Sequence, residues 1–221
     1  MSDSLERVCS EVIECFLCPR LVAWRERVAR EKRAAFRDWE YWGRPVPGFG
    51  DPQARLLVVG LAPVAHGGNR TGRVFTGDRS GDWLYRALHA NGFANQPLSV
   101  SRNDGLRLTG AYIAAVNRCA PPDNKPTPQE RDNCLPYLER EIALLTELRV
   151  FVALGAYALA GLALAVRLRP FPKFSHGAEI ALDDGRTIIC SFHPSQQNTF
   201  TGRLTEEMFD GVFSRARELA G

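Results

Sequence analysis

Apolar positions between residues 5 and 16 recur at helical spacing. Leu5, Val8, Cys9, Val12, Ile13 and Phe16 share one face, and Ser4 stands where a cap is needed. A second helix is expected over 19–33, with Pro19 in its first turn. An irregular stretch, Gly-Arg-Pro-Val-Pro-Gly-Phe-Gly, follows over 43–50. The period then changes. Residues 54–60, Ala-Arg-Leu-Leu-Val-Val-Gly, form a short apolar run that predicts a strand buried in a parallel sheet. A long glycine-rich loop over 61–79 leads to a helix capped by Ser80 and stopped by Asn91-Gly92. Residues 111–116 predict the next strand, 120–128 a proline-rich loop and 129–147 a helix. A third strand is expected over 149–154 and a helix of small apolar residues over 156–166. Residues 179–192 predict a hairpin turned at Asp184-Gly185, with its second arm ending at His193-Pro194. Residues 203–220 predict a closing helix. Strands alternating with helices imply a mostly parallel sheet covered on both faces. No internal repeat or linker divides the chain, so one domain over 1–221 is expected.

Composition narrows the class. The 221 residues are 45% apolar and 24% charged, as in ordinary globular proteins, which excludes collagen and disordered tails. No apolar run reaches the roughly 18 residues of a membrane span; the longest candidate, 150–168, is broken by Arg167. The opening Met-Ser-Asp-Ser-Leu-Glu lacks the basic and apolar regions of a secretory signal. A cytoplasmic protein with no membrane partner is expected.

Net charge is only +3, but 25 of the 28 basic residues are arginine. Arginine suits ion-pair networks at high temperature and also the gripping of phosphate. Between Cys18 and Arg44, eight basic residues face four acidic ones, among Trp24, Phe36, Trp39, Tyr41 and Trp42. That segment reads either as a solvated helix with an aromatic underside or as a flank for nucleic-acid phosphates. The six cysteines are unsuited to structural disulfides inside a cell. Cys15-Phe-Leu-Cys18 has the C-x2-C spacing of a metal or redox site.

Ligands of open α/β sheets bind beyond the carboxyl ends of the strands. Three such ends carry unusual residues. After the first strand comes Gly60-Leu61-Ala62-Pro63, then His66-Gly-Gly-Asn69-Arg70-Thr-Gly-Arg73-Val-Phe75-Thr-Gly-Asp78. After the second comes Asn117-Arg-Cys119-Ala-Pro-Pro, and after the last His193-Pro-Ser195. The first loop matches neither the P-loop nor the dinucleotide fingerprint. A structureless loop of this length is usually functional.

These three motifs, in this order, resemble the uracil-DNA glycosylase superfamily. The His-Gly-Gly-Asn-Arg-Thr-Gly and Phe-Thr-Gly-Asp segments look specifically like its type b branch, often called family 5. The resemblance spans most of the chain, from Cys15 to Asn198. It implies a three-layer α/β/α sandwich around a central, mostly parallel four-stranded sheet. It also implies a [4Fe–4S] cluster on Cys15, Cys18, Cys119 and Cys134, although C-x2-C alone would equally suit zinc. Cys9 and Cys190 fall on apolar faces as core residues.

The resemblance further implies a DNA repair enzyme; Lys32, Lys125 and Lys173 lie outside the strand-end motifs, so a monofunctional one is expected, as a monomer acting at the nucleoid. It would excise uracil, and other deaminated bases such as hypoxanthine, from DNA after flipping them out. Phe75 would stack on the base, with Gly60, Leu61 and Ala62 beside it. His193 would donate to the pyrimidine O2 as charge develops, and Ser195 would meet DNA phosphate. Sister branches carry a carboxylate or amide beside the first motif glycine, where this chain has Leu61 and Ala62. Asp78, rather than Asp82, is therefore expected to assist the attacking water. Sister branches also read the base with an asparagine where this chain has Ala115. Asn117 is the nearest replacement, on the same face if the strand continues, and base recognition should be looser. His66 and Asn69 are expected to shape the site, whereas His89 and His176 are unassigned. Two alternatives stay open: an iron–sulfur protein that binds DNA without cutting it, and a nucleotide-handling enzyme using Arg70 and Arg73.

Overall fold

The computed structural model describes residues 3–221. The first helix, α1 (Leu5–Ile13), is capped by Ser4, whose Oγ accepts the Arg7 N–H at 3.2 Å. It stops three residues short of the expected end because Pro19 opens α2 (Pro19–Glu31) and drives the preceding residues out of helical geometry. Phe16 and Leu17 are left exposed in the link.

The sheet has six strands: β1 (Phe49–Gly50), β2 (Leu56–Gly60), β3 (Ala111–Ala115), β4 (Val150–Leu154), β5 (Glu179–Ala181) and β6 (Thr187–Ser191), in the order β1-β3-β2-β4-β6-β5. The four central strands are parallel, as expected, and entirely buried except for Thr187 at the start of β6. Two short antiparallel strands close the edges. One is the expected hairpin arm β5; the other, β1, is only two residues and carries no periodic signal.

Between β2 and β3 lie the one-turn α3 (Gly68–Thr71) and α4 (Arg79–Ala90). The cap of α4 is Asp78, not Ser80. Asp78 is extended at φ −142° and its Oδ1 accepts the Gly81 N–H at 3.1 Å, placing Ser80 inside the first turn. After β3, α5 (Pro128–Leu144) opens on a capping box in which Thr127 and Glu130 satisfy each other's backbone N–H groups. The remaining helices are α6 (Ala156–Ala165), the short α7 (Gln196–Phe200) and α8 (Glu206–Ala220). The closing helix thus begins three residues late, and α7 was not foreseen. No helix among the described residues is long and apolar enough to cross a membrane.

Alternate residues of each central strand enter opposite layers. Leu56, Val58, Ile113 and Ala115 pack with Leu84, Leu88, Phe209 and Phe213 of α4 and α8. Leu57, Val59, Ala114 and Val116 pack with Leu138, Ile142, Leu159 and Leu162 of α5 and α6. Outside α5 lie α1 and α2, tied by Arg140 to Asp3 and Glu11 and by Arg20 to Glu130 at 2.7 Å. The chain leaving β3 is pinned to α5 by a fully buried ion pair. Both guanidinium Nη atoms of Arg118 meet the Glu141 carboxylate, at 3.0 and 2.5 Å. Removing either partner would strand a buried charge at a cost of about 3–5 kcal/mol. The pair therefore fixes Cys119 relative to α5.

Candidate active site

All three sequence-flagged loops leave the carboxyl edge of the parallel strands. Gly60 ends β2 with no room for a side chain: a Cβ there would lie 2.5 Å from Cζ of Phe75. The Phe75 ring therefore rests on bare backbone. Phe75 itself sits at φ +51°, a conformation that side-chain-bearing residues rarely adopt. Its ring centroid lies 5.9 Å from that of His193, with the planes 32° apart.

His193 emerges two residues after β6. Its carbonyl accepts the Asn198 side-chain N–H at 2.8 Å, so α7 holds it from behind. Burial pushes its pKa down to about 4. The ring is thus neutral near pH 7, with one N–H to donate and no proton to surrender. Its side-chain 15N shifts should stay flat from about pH 8 to pH 5, through the range where an ordinary histidine near 6.5 titrates. A transition near pH 6.5 in that NMR titration would reject the neutral state. The same depressed pKa means that fold stability from this residue is lost as pH falls from about 6.5 toward 4.

Asp78 follows Phe75 by three residues. A Cβ on Gly67 would meet its Oδ2 at 2.2 Å, so the carboxylate packs directly on the backbone of the glycine-rich loop. Burial raises its pKa, and the N–H groups of Gly81 and Ser80 offset this only in part. Asp82 is exposed on α4, facing a shallow cleft of about 250 Å³ with Arg79, Trp83 and Arg86. A second cleft of similar volume lies between Cys9, Phe49 and Arg73. Neither cleft includes Phe75, Asp78 or His193.

The loop's shape is imposed by its arginines. Arg70 donates to the carbonyls of His66 (2.7 Å) and Gly77 (2.9 Å), with its guanidinium between the rings of Phe36 and Trp39, at 3.9 and 4.1 Å. Arg73 is buried on Asp104 (2.7 Å), Ser99 (2.6 Å) and Thr76 (3.1 Å). Both are buried and held by groups of the loop itself, so neither is presented to a nucleotide as the alternative built on them requires. The aromatic flank is explained in part the same way: Phe36 and Trp39 clamp Arg70. Asn69 also ties the loop down, donating to the Arg25 carbonyl at 3.2 Å, while His66 Nδ1 lies 3.0 Å from the Tyr41 hydroxyl.

Asn117 departs from its expected face. Strand β3 ends at Ala115, so alternation does not continue. The Asn117 side chain instead reaches Tyr157 in the first turn of α6, whose hydroxyl donates to Oδ1 at 2.7 Å. Its own N–H bonds the Leu61 carbonyl at 2.9 Å, which keeps it beside the Gly60-Leu61-Ala62 corner. Asn117 is wholly buried, and its Nδ2 has no partner. Ser195 caps α7, accepting the Asn198 N–H at 3.4 Å. Sequence reasoning missed Tyr157 and His176. His176 stacks on Phe192 at 5.0 Å, and its Nδ1 accepts the Phe192 N–H at 3.1 Å, bracing the residue before His193. Neither lies in a motif, and no local signal marks them.

A second cluster lies on the α5 side. Cys18 and Cys119 share a small apolar nucleus with Leu21. Burial pushes the Cys119 thiol up to about 11 and Cys134 up to about 12. Cys119 also feels the charge of Cys15 and Cys18, and Cys134 that of Cys119 and Cys18. Among the described residues, no group of three or more His, Cys, Asp or Glu side chains is placed to hold a metal ion as it stands. The donor set nonetheless fits a soft, anionic group. Arg25, 1% exposed, donates to Cys119 Sγ at 3.1 Å and to the Cys15 carbonyl at 3.2 Å. It has no carboxylate partner among the described residues, and a buried cation requires a countercharge. Asn133 donates to Cys18 Sγ at 3.4 Å.

Fold and site together define the class: an α/β/α protein whose carboxyl-edge loops carry an aromatic ring, a neutral histidine and a half-buried carboxylate. Residues 47–217 match the family model of the uracil DNA glycosylase superfamily, and the chain belongs to that superfamily. It is 56% identical over 208 residues to the Type-5 uracil-DNA glycosylase of Thermus thermophilus, covering 94% of each chain. It is 54% identical to that of Mycobacterium tuberculosis, over 94% of this chain and 78% of the relative. A Type-4 uracil-DNA glycosylase of Thermotoga maritima is 33% identical over 68% of this chain and 69% of its own. The family match begins after Cys15 and Cys18, whereas the Type-5 likenesses extend over nearly the whole chain.

Proposed function

We propose that this protein is a monofunctional DNA glycosylase that removes uracil, and other deaminated bases such as hypoxanthine, from DNA. The observation that carries the reading is the Phe75–His193 pair on the Gly60 corner, with Asp78 packed on Gly67 of the same loop. A base swung out of the stack lies against Phe75. Neutral His193 donates its N–H to the base oxygen as the glycosidic bond stretches and negative charge grows there. Such a donor needs position, not acidity. Asp78 orients the water and faces the positive charge developing on the sugar.

Breadth follows from what is missing. Ala115 is buried in the α4–α8 layer and brings no hydrogen-bonding group to the base, so recognition falls to Asn117. Lys125 and Lys173 lie outside the strand-end motifs, and Lys32 donates to the Arg37 carbonyl at 3.1 Å. That supports hydrolysis by water rather than by a lysine adduct. Cys15, Cys18, Cys119 and Cys134 would hold a [4Fe–4S] cluster, which supplies a rigid cross-link between α2 and α5. The exposed arginines of α2 and the stretch after it suit the DNA backbone.

The test is single-turnover base release from duplexes carrying uracil or hypoxanthine, with borohydride added in parallel. Release of both bases without a trapped covalent complex is expected. Duplex binding without release of either base would overturn the reading. Uracil-only activity would remove the breadth, and a trapped adduct the monofunctional chemistry.

A further inference from the structure

We propose that Arg25 is a built-in countercharge for an anionic, thiolate-held group on Cys15, Cys18, Cys119 and Cys134, and that it makes the fold depend on that group being bound. The proposal rests on the reading of these four cysteines as one ligand set. Leu21, Arg25 and Val28 form the buried stripe of α2, so a guanidinium stands where the helical period calls for an apolar side chain. Its Nη1 donates to Cys119 Sγ at 3.1 Å and to the Cys15 carbonyl at 3.2 Å, and its Nε is buried with no partner. The residue is held away from water. Its carbonyl accepts an N–H from the buried Asn69 side chain at 3.2 Å, which fixes this part of α2 on the glycine-rich loop. The Phe16 ring, inside the Cys15-Phe-Leu-Cys18 spacing, lies over the guanidinium with its centroid 5.0 Å away.

The other buried arginines show what Arg25 lacks. Arg118 is paired with Glu141 and Arg73 with Asp104. Arg70 has no carboxylate but is satisfied by two backbone carbonyls and two aromatic rings. Arg25 has one carbonyl, one ring and a sulfur, and no carboxylate partner among the described residues. A thiol is a weak, uncharged acceptor. A metal-bound thiolate is charged, and four of them around an iron–sulfur core or around zinc bear a net negative charge. The N–H···S bond to Cys119 then becomes charge-assisted, about twice as strong as a neutral one. The contribution of one side chain therefore changes sign. With the group bound, Arg25 stabilises the fold. Without it, Arg25 is a buried charge lacking a partner, which is strongly destabilising.

Arg25→Met keeps a long, helix-favouring side chain and removes the charge and the donors. It is made in two backgrounds, a double-mutant cycle that reads the sign directly. In the otherwise unaltered protein, purified anaerobically and assayed for iron, sulfide and zinc, the variant should lose its metal to a chelator at least about 10-fold faster, the worth of one charge-assisted hydrogen bond. It should also melt at a lower temperature. In the Cys134→Ser background the same substitution should raise the melting temperature. Arg25→Lys, which keeps the charge but not the planar fork, should release metal at an intermediate rate. If Cys134→Ser does not melt cooperatively, protein stripped of metal by the chelator supplies the second background. A lower melting temperature in both backgrounds would make Arg25 an ordinary packing residue, and an unchanged rate of metal release would deny it any hold on the group. Either result overturns the inference while leaving the ligand set intact. An unaltered protein that holds neither iron nor zinc would overturn both.

Discussion

Asp78→Asn should slow single-turnover uracil release by about 10²-fold or more while leaving the melting temperature unchanged or higher. Two roles meet at this residue, and the substitution separates them. Asp78 caps α4, and asparagine caps helices as well as aspartate does. The variant therefore keeps the Gly81 hydrogen bond. What it loses is the negative charge. That charge is held at a cost: burial raises the pKa of Asp78, so folding favours its protonated form. A group with a raised folded pKa contributes stability that is fully present at low pH and lost as pH rises through that value. Ionisation of this carboxylate therefore weakens the fold, and a neutral amide of the same shape relieves the burden. A large loss of rate with no loss of stability is the signature of a group kept for chemistry. The rate of the unaltered protein should also fall on acidification at a higher pH than an ordinary carboxylate would cause, and a pH–rate profile reads this directly. If Asp78→Asn keeps its rate, Asp78 is a helix cap and nothing more.

Cys134→Ser carries the second large effect. The four cysteines come from the α1–α2 link, the start of α2, the turn after β3 and the middle of α5. A group bound to all four would join segments more than a hundred residues apart. The unaltered protein, purified anaerobically, should contain about four irons and show the broad visible absorbance of a thiolate-bound cluster. Cys134→Ser should lose both, and melt at least about 10 °C lower. That follows from several kcal/mol of lost cross-linking, at about 2–4 °C per kcal/mol for a chain of this size. Arg25 explains why the loss is severe. With the anionic group gone, a buried guanidinium would face a neutral thiol, Cys119, with no carboxylate to replace it. Full visible absorbance and an unshifted melting temperature in Cys134→Ser would reject Cys134 as a ligand. Zinc in place of iron in the unaltered protein would reject the cluster while keeping the site.

The sequence alone determined the central architecture. Continuous apolar runs at 56–60, 111–115 and 150–154 predict strands buried on both faces, and the helices between them imply parallel pairing; 187–191 was legible as the second arm of a hairpin. The motif residues were readable for a related reason. Gly60 ends β2 and His193 lies two residues past β6, so topology delivers both to one rim, whereas Phe75 and Asp78 are placed there by the folded loop after β2. Local chemistry was read less well. Ser80 and Asp78 both look like helix caps, and only the backbone geometry chose Asp78.

What the tertiary structure decided are pairings between residues far apart in the chain. Arg70 between Phe36 and Trp39 became a girder of the loop instead of a phosphate ligand. Asn117 turned to Tyr157, forty positions away, because β3 ended two residues earlier than alternation required. His176 found the Phe192 N–H, and Arg25 found Cys119. Periodicity and turn chemistry act between near neighbours, so they carry no information about such contacts. These contacts exist only once the sheet has brought the strand ends together. There the requirement that every buried polar group find a partner selects among arrangements the sequence leaves equally open.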